Sequence, residues 1–272
     1  MKTKARLTIT LDNSLLRQVD KMIDHVTIRN RSHAIESILR ESLVPTVSTA
    51  VLLAGGNNVS ESHPALLPID DKELIFITLE HLTNHGIRRI FLLAGSTEPA
   101  FREVLGEGGV FSAEIIYAQE EQPLGTAGAV KALEKQLDQE PFLVIHADVL
   151  TNINLADFIT FHNQEKALAT IAVKPRDAEK KYGKVLLQGN KITEFSEKEK
   201  SEGISIINTG VYLLQPDVLH WIADGQPAQF ETDVFPKLAA INELSAFLFQ
   251  GIWFDIGNIE SYKEARLRWS SS

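Results

Sequence analysis

Two kinds of hydrophobic spacing follow one another at the start of the chain. Residues 6–11 alternate polar and apolar side chains, which predicts a strand with Leu7, Ile9 and Leu11 on one face. Apolar residues then recur at helical spacing after the capping oxygens of residues 12–14, and again after Ser32, which we expect to be the N-cap of a second helix. A strand and two helices bury little by themselves, so we expect this segment to dimerise.

From residue 48 onward, short apolar runs alternate with helix-compatible stretches. Strands are predicted in "TAVLLAGG", "RRIFLLAG", "AEIIYAQE" and "PFLVIHAD", and a helix that Gly86 ends is predicted in "LIFITLEHLTNHGI". A hairpin with Gly189 and Asn190 as its turn is predicted next, followed by strands in "GVYLLQ" and "SAFLFQGIWFDIG" and by a closing helix in "NIESYKEARLRW". This alternation predicts an α/β domain with a mostly parallel sheet and ligands at the carboxyl ends of its strands.

Composition narrows the class of protein. The 272 residues are 44% hydrophobic and 23% charged, as expected of a soluble globular chain, and the absence of cysteine excludes disulfides, thiolate metal sites and Cys nucleophiles. No apolar run is long enough to span a bilayer and no signal peptide is evident, so a cytoplasmic location is expected. The net charge is −9, but residues 1–44 carry eight basic and five acidic side chains, which predicts a basic module on an acidic body.

The N-terminal module, residues 1–44, resembles the ribbon-helix-helix family of DNA-binding proteins. In that family two chains pair their strands into one ribbon, whose outward side chains read the major groove. The resemblance implies a homodimer in which Arg6, Thr8 and Thr10 contact bases and Ser32 places a helix N-terminus against a DNA phosphate. The alternative is that this segment serves only as a dimerisation arm.

Residues 48–268 resemble the sugar nucleotidyltransferases, the family of glucose-1-phosphate thymidylyltransferase and mannose-1-phosphate guanylyltransferase. The motifs that carry the resemblance occur in the family's order: "AVLLAGG", "PLGTAGAV", "HADVL", "ITEFSEK", "INTGVYLL", "FETDVFPKLA" and "GIWFDIGNIESYKEA". The resemblance implies a Rossmann-like sheet of the nucleotide-diphospho-sugar transferase type. It also implies a reaction in which a sugar 1-phosphate attacks the α-phosphate of a nucleoside triphosphate and pyrophosphate leaves.

The same resemblance assigns roles to individual residues. Asp148 and Asp255, each at the end of an apolar strand, are the expected ligands of Mg²⁺, although a strand-end Asp commonly caps a turn instead. Asp148 and Lys198 are the expected catalytic residues, and Lys198 equally fits a solvated lysine in a charged run. The expected nucleotide-binding residues are Ala54, Gly55, Gly56, Gln119, Gly125 and Thr126, and the expected sugar-binding residues are Gly183 and Asn208. Gln119 is explained equally well as a surface residue.

One departure from the family pattern concerns the phosphate loop. Where the family has an Arg and, some residues later, a Pro-Lys pair, the segment "GGNNVSESHPALLPI" has no Arg, and His63 and Pro64 stand at the Pro-Lys positions. The loss of both cations predicts a rate lower by about 10³- to 10⁵-fold. Two interpretations follow. One is an attenuated nucleotidyltransferase; the other is a non-catalytic pseudoenzyme, a DNA-binding regulator whose body senses a nucleotide or a nucleotide sugar.

Overall fold

The computed structural model divides the chain into two compact units, Met1–Thr46 and Val47–Ser272. The structure describes residues 8–24, 26–42, 47–55, 63–118, 122–177, 182–196 and 203–269. No helix within these ranges combines the length and the apolar composition that a membrane crossing requires.

The N-terminal unit contains two helices, α1 (Asn13–Lys21) and α2 (Arg31–Ser42). The Asp12 carboxylate caps α1 by accepting the backbone N–H groups of Ser14 and Leu15, as the sequence predicted. The expected cap of α2 is wrong, because the Asn30 side chain accepts the N–H of His33 and the helix starts before Ser32.

The strand expected over residues 6–11 is absent from the part of it that the structure describes, residues 8–11. Strand pairing needs a second row of backbone donors and acceptors. The described residues of this unit contain no other strand that could supply that row.

The C-terminal unit consists of strands and helices in alternation. Its strands are β1 (Thr49–Leu53), β2 (Pro68–Ile69), β3 (Lys72–Glu73), β4 (Arg89–Leu93), β5 (Glu114–Tyr117), β6 (Phe142–His146), β7 (Val149–Thr151), β8 (Ala169–Asp177), β9 (Lys184–Gln188), β10 (Lys191–Ser196), β11 (Ile204–Leu214), β12 (Leu244–Leu248) and β13 (Trp253–Asp255). Its helices are α3 (Leu74–Asn84), α4 (Glu98–Leu105), α5 (Gly125–Ala132), α6 (Leu155–Glu165), α7 (Phe235–Ala240) and α8 (Ile259–Trp269). Every strand and helix named from the sequence in this unit is confirmed.

The central sheet has nine strands in the order β5-β4-β1-β6-β11-β8-β12-β10-β9. Strands β5, β4, β1 and β6 run parallel, and so do β8 and β12, whereas the other neighbours are antiparallel. The prediction of a mostly parallel sheet is therefore wrong, since the sheet is mixed. No helix separates β8 from β11 in the described part of the chain, and strands joined without a helical crossover pair in opposite directions.

Both faces of this sheet are covered. On β1, Ala50 and Leu52 belong to one apolar cluster and Val51 belongs to the other, because successive side chains of a strand point to opposite faces. Both clusters are buried, as expected of a sheet sandwiched between helices. Because apolar side chains cover both faces of the sheet, polar side chains can come together mainly in the loops at the strand ends.

A small second sheet pairs β7 with β13, so the segment predicted from "SAFLFQGIWFDIG" contributes to two different sheets. Gly251 makes this division possible. It has a φ of 156°, and a Cβ atom on it would lie 2.5 Å from the Asn152 Oδ1 atom, which accepts the Ile252 N–H. The chain can therefore turn sharply between β12 and β13 and place Asp255 opposite Val149.

A buried histidine makes stability depend on pH. His162 contacts the Thr170 hydroxyl (2.7 Å) and the Gln215 amide (2.9 Å), and burial lowers its pKa from 6.5 to about 4. The unfolded chain binds this proton near pH 6.5 and the folded chain does not, so stability is complete above pH 6.5 and falls as the pH drops toward 4. Over this pH window the free energy of unfolding falls by about 3 kcal/mol because of His162.

We expect His162→Gln to flatten the dependence of the free energy of unfolding on pH in this window, as measured by urea unfolding at a series of pH values. His220→Gln, which changes an exposed histidine, is the matched control and should keep the wild-type slope. An unchanged slope in His162→Gln would contradict the assignment.

Candidate active site

A cavity of 470 Å³ opens at the carboxyl end of β6, where the central sheet meets the small sheet. Residues predicted separately from the sequence share this cavity: Asp148, Asp255, Thr126, Gly183 and Asn208 all line it. Because parallel strands bring their carboxyl ends to one edge of a sheet, ligand-binding residues are expected there.

Asp148 and Asp255 are brought side by side by backbone pairing. Asp148 follows β6 and Asp255 ends β13, while the Ile256 N–H donates to the Asp148 carbonyl over 2.9 Å. Burial raises the pKa of the Asp148 carboxyl; the nearby His146 opposes this shift, and the Asp255 carboxylate adds to it. One Asp255 oxygen also accepts the Gly257 N–H at 2.8 Å, so the turn-capping role is present beside any role in binding.

These two carboxylates suit a divalent cation. The Asp255 carboxylate raises the pKa of Asp148 because the two negative charges repel one another, and a cation between them would relieve this repulsion. In the described ranges no three His, Cys, Asp or Glu side chains converge on a point where they could hold a metal. Two carboxylates, with waters and substrate oxygens completing the shell, are the kind of site that Mg²⁺ prefers.

Two basic side chains on β8 hold the strand that carries Asp255. The Lys174 ammonium donates to the Gly251 carbonyl at 2.7 Å, and the Arg176 guanidinium donates to the Trp253 carbonyl at 2.9 Å. Burial and the neighbouring Arg176 lower the pKa of Lys174. These tethers were not expected from the sequence, where both residues look like ordinary surface cations.

The structure describes four of the six residues that are predicted to bind the nucleotide: Ala54, Gly55, Gly125 and Thr126. Ala54 and Gly55 follow β1, and the Ala54 N–H donates to the Leu93 carbonyl at 2.9 Å. Thr126 lies in the first turn of α5 and lines the cavity. Gly125, with a φ of 72°, starts that helix and lies against the Ala228 carbonyl. Their contacts with a nucleotide stay predictions.

His63 is a buried structural residue. Its Nδ1 accepts the Ala65 N–H at 3.1 Å at the start of the 3₁₀ turn Pro64–Leu66, and its ring packs on Phe101. Burial lowers the pKa of His63 to about 4, partly offset by a hydrogen bond to the Ala54 backbone. The side chain is neutral at pH 7 and cannot replace a lost phosphate-binding cation.

The expected sugar residues are neighbours within the cavity. The Asn208 N–H donates to the Gly183 carbonyl at 2.8 Å, and the Asn208 amide donates to the Tyr212 hydroxyl at 2.9 Å. Four further predicted site residues, Arg6, Gly56, Gln119 and Lys198, lie outside the described residues, as does the loop 56–62.

Several cavity residues were missed at the sequence level: His146, Tyr182, Tyr212, Glu231 and Trp253. Each lies in or directly beside a motif that points to another residue. Tyr182 precedes Gly183, for example, and Glu231 stands within "FETDVFPKLA". The motifs thus located the segments, but the side chains that face the cavity depend on packing.

Comparisons with known proteins identify the family to which the chain belongs. The family model described as nucleotidyl transferase matches residues 49–271. The chain is 33% identical over 203 residues to a probable mannose-1-phosphate guanylyltransferase of Oryza sativa (72% of this chain, 56% of the relative), and 32% identical over 212 residues to mannose-1-phosphate guanyltransferase of Yarrowia lipolytica (76% and 58%). The chain therefore spans little more than half the length of these relatives.

A solved structure, a putative glucose-1-phosphate thymidylyltransferase of Bacillus anthracis, superimposes with a TM-score of 0.74 at 22% identity, covering 81% of this chain and 94% of that one. This similarity supports the α/β fold of the nucleotide-diphospho-sugar transferase type that the motifs predicted.

A close approach of backbones beside the cavity predicts the effect of one substitution. A Cβ atom on Gly128 would lie 2.8 Å from the Gln226 carbonyl oxygen and 3.3 Å from the Ala228 nitrogen. Helix propensity alone would make Gly128→Ala stabilising, but the clash with backbone atoms should dominate and destabilise the protein by about 1 to 3 kcal/mol.

Thermal unfolding of Gly128→Ala tests whether this substitution destabilises the protein. Gly109→Ala is the matched control, since no atom lies within 4 Å of its added carbon. A higher melting temperature for Gly128→Ala would show that α5 and the segment 226–229 are not packed as described.

Proposed function

The chain belongs to the nucleotidyl transferase family, and on this premise we propose that its C-terminal unit transfers a nucleotidyl group to a sugar 1-phosphate. In this reaction a phosphate oxygen of the sugar 1-phosphate bonds to the α-phosphorus of a nucleoside triphosphate, and the bond to pyrophosphate breaks. The observation that carries the proposal is the single cavity shared by Asp148, Asp255, Thr126, Gly183 and Asn208.

The protein's part in such a reaction is mainly placement. Asp148 and Asp255 would hold Mg²⁺, which neutralises phosphate charge when it is bound. Thr126 and the glycines beside it would bind the nucleotide, while Asn208 and Gly183 would hold the sugar, so that the two reacting groups meet near the paired carboxylates. Lys198 is proposed as the cation that contacts the sugar phosphate.

Turnover should be slow. The phosphate-loop Arg and Lys of the family are absent from the sequence, and the neutral, buried His63 does not supply the missing charge. Each lost phosphate contact weakens stabilisation of the charge that develops in the transition state. We therefore propose an attenuated enzyme.

The relatives suggest which substrates to try first. Both curated relatives are named for guanylyl or guanyl transfer to mannose 1-phosphate, and the solved structure is named for thymidylyl transfer to glucose 1-phosphate. We propose a hexose 1-phosphate as the acceptor, with GTP and mannose 1-phosphate as the first pair to test.

The test is pyrophosphate release with Mg²⁺. Wild-type protein is compared with Asp148→Asn, which keeps the size of the side chain but removes a charge from the proposed metal site. We expect slow release by the wild type and loss of most of it in the variant, together with weaker Mg²⁺-dependent nucleotide binding.

Equal nucleotide affinity of the wild type and Asp148→Asn would contradict the proposal that Asp148 binds the metal. Glu260→Gln, on α8 and outside the cavity, is the control and should behave as the wild type.

A second candidate function is supported by the N-terminal unit. Among its described apolar residues Val19 and Ala34 are buried, whereas Ile9, Leu15, Val26 and Leu39 are exposed. A further cavity is lined by Ile23, Arg29, Asn30, Arg31 and Ser32, and the Arg31 guanidinium is ion-paired with Asp20. Exposed apolar side chains favour a homodimer, and the basic residues favour a polyanion such as DNA. On this proposal the body senses a nucleotide or nucleotide sugar, and the N-terminal unit acts on DNA.

We expect Arg6→Ala to abolish sequence-specific DNA binding by the full chain, because Arg6 is the longest of the side chains expected to read bases. Selection from a random DNA library followed by fluorescence anisotropy measures this, and Arg268→Ala, on α8, is the control. Failure of the wild type to select any sequence at low salt would leave dimerisation as the role of this unit, which sedimentation then tests.

A further inference from the structure

Glu231 is an acidic residue in the cavity for which the proposed reaction has so far no use. It lies in the π-helical turn Phe230–Val234, a rare local structure that often marks functional sites. Thr126 braces this turn, since its hydroxyl accepts the Phe230 N–H at 3.0 Å. The Glu231 side chain lines the cavity and is 14% exposed.

The carboxylate is held by two hydroxyl groups. Its Oε1 accepts from Tyr212 at 2.9 Å, and its Oε2 lies 3.2 Å from the Thr126 hydroxyl, whose one proton is also within reach of the Gln229 Oε1 atom at 3.0 Å. No Lys or Arg of the described chain forms an ion pair with it; the nearest basic group is His146, whose Nε2 is 3.8 Å from Oε1. Each carboxylate oxygen accepts about two hydrogen bonds, so both retain acceptor capacity toward the cavity.

The ligand group opposite Glu231 must therefore donate hydrogen bonds. A phosphate group brings only negative charge and acceptor oxygens, and a carboxylate without a neighbouring cation repels it. The phosphates should lie instead at Asp148 and Asp255, where a cation can bridge them. What remains to face Glu231 is the neutral, hydroxyl-bearing part of the substrate.

Contacts within the cavity place Glu231 on the sugar side. The Tyr212 hydroxyl that holds Oε1 itself accepts from the Asn208 amide, and the Asn208 N–H donates to the Gly183 carbonyl. An unbroken series of hydrogen bonds thus connects Glu231 with both residues proposed to bind sugar. The His146 ring completes this wall and is seated on Gly210, whose φ is 75° and whose added Cβ would lie 3.2 Å from the ring.

We propose that Glu231 determines sugar specificity: its carboxylate accepts a hydrogen bond from a ring hydroxyl of the sugar 1-phosphate, and charge repulsion directs the phosphate toward Asp148 and Asp255. This inference rests on the proposed function, because it assumes that the cavity takes a sugar phosphate. It adds a residue that fixes the orientation of the sugar.

The test measures binding rather than turnover, using calorimetric titration of the full chain with Mg²⁺. The probes are GDP, GDP-mannose and a set of monodeoxy derivatives of GDP-mannose, with dTDP and dTDP-glucose in parallel. Glu231→Gln keeps the shape of the side chain but removes the charge. Asp233→Asn changes another carboxylate of the same turn, one that accepts the Gln229 N–H at 2.8 Å and does not line the cavity.

We expect Glu231→Gln to weaken binding of the nucleotide sugar by about 10- to 100-fold, the effect of losing a hydrogen bond to a charged acceptor. Binding of the nucleoside diphosphate should not change, which also shows that the variant is folded. One monodeoxy derivative should bind the wild type more weakly than the parent compound, and this difference should disappear in Glu231→Gln. Asp233→Asn should match the wild type.

Two results would overturn the inference while leaving the proposed function in place: nucleotide-sugar affinity that is unchanged in Glu231→Gln, or equal weakening of nucleotide sugar and nucleoside diphosphate, which would place Glu231 against the nucleotide. If the wild type binds the diphosphates but none of the nucleotide sugars, both the inference and the proposed function fail.

Discussion

The pairing of two short strands holds the candidate site together. When β7 and β13 form their small sheet, Asp148 and Asp255 come to lie close together, and the Asp255 carboxylate disfavours the charge of the Asp148 carboxylate. Such a pair needs rigid support. It comes from the turn at Gly251 and from Lys174 and Arg176, which bind the backbone of the incoming segment from the central sheet.

Negative charge is concentrated in this cavity, and its distribution divides the cavity in two. Asp148 and Asp255 lie close enough for one carboxylate to raise the pKa of the other, whereas Glu231 contacts hydroxyl groups and His146 and forms no ion pair with a Lys or Arg of the described residues. A ligand with an anionic end and a neutral polyol end fits this division in one orientation only. On the proposed function, the absence of the phosphate-loop cations would leave Mg²⁺ to neutralise more of the phosphate charge than it does in the family.

The N-terminal unit poses a different physical problem. Among the described residues of this unit, Val19 and Ala34 are the buried apolar side chains, which is a small core for an independent domain. Pairing with a second copy, as proposed above, would enlarge this core. The C-terminal unit has no such deficit, because both faces of its sheet are covered by apolar clusters of its own.

The sequence by itself determined the identity and most of the positions of the regular elements. Apolar runs with small residues after them predicted β1, β4, β5 and β6, and the turn at Gly189 and Asn190 predicted the hairpin, because these features depend on side-chain periodicity and local backbone preference. Motifs ending in Asp148 and Asp255 likewise predicted that both acids lie at strand ends.

Tertiary structure decided what depends on distant partners. It determined the antiparallel direction of β11, the division of β12 from β13 and the burial of His63. It also determined the contact of Thr126 with Glu231, residues that are far apart in the chain and meet only when the sheet has formed. Local patterns cannot fix such contacts, because the energy of a non-local contact exists only after the whole chain has folded around it.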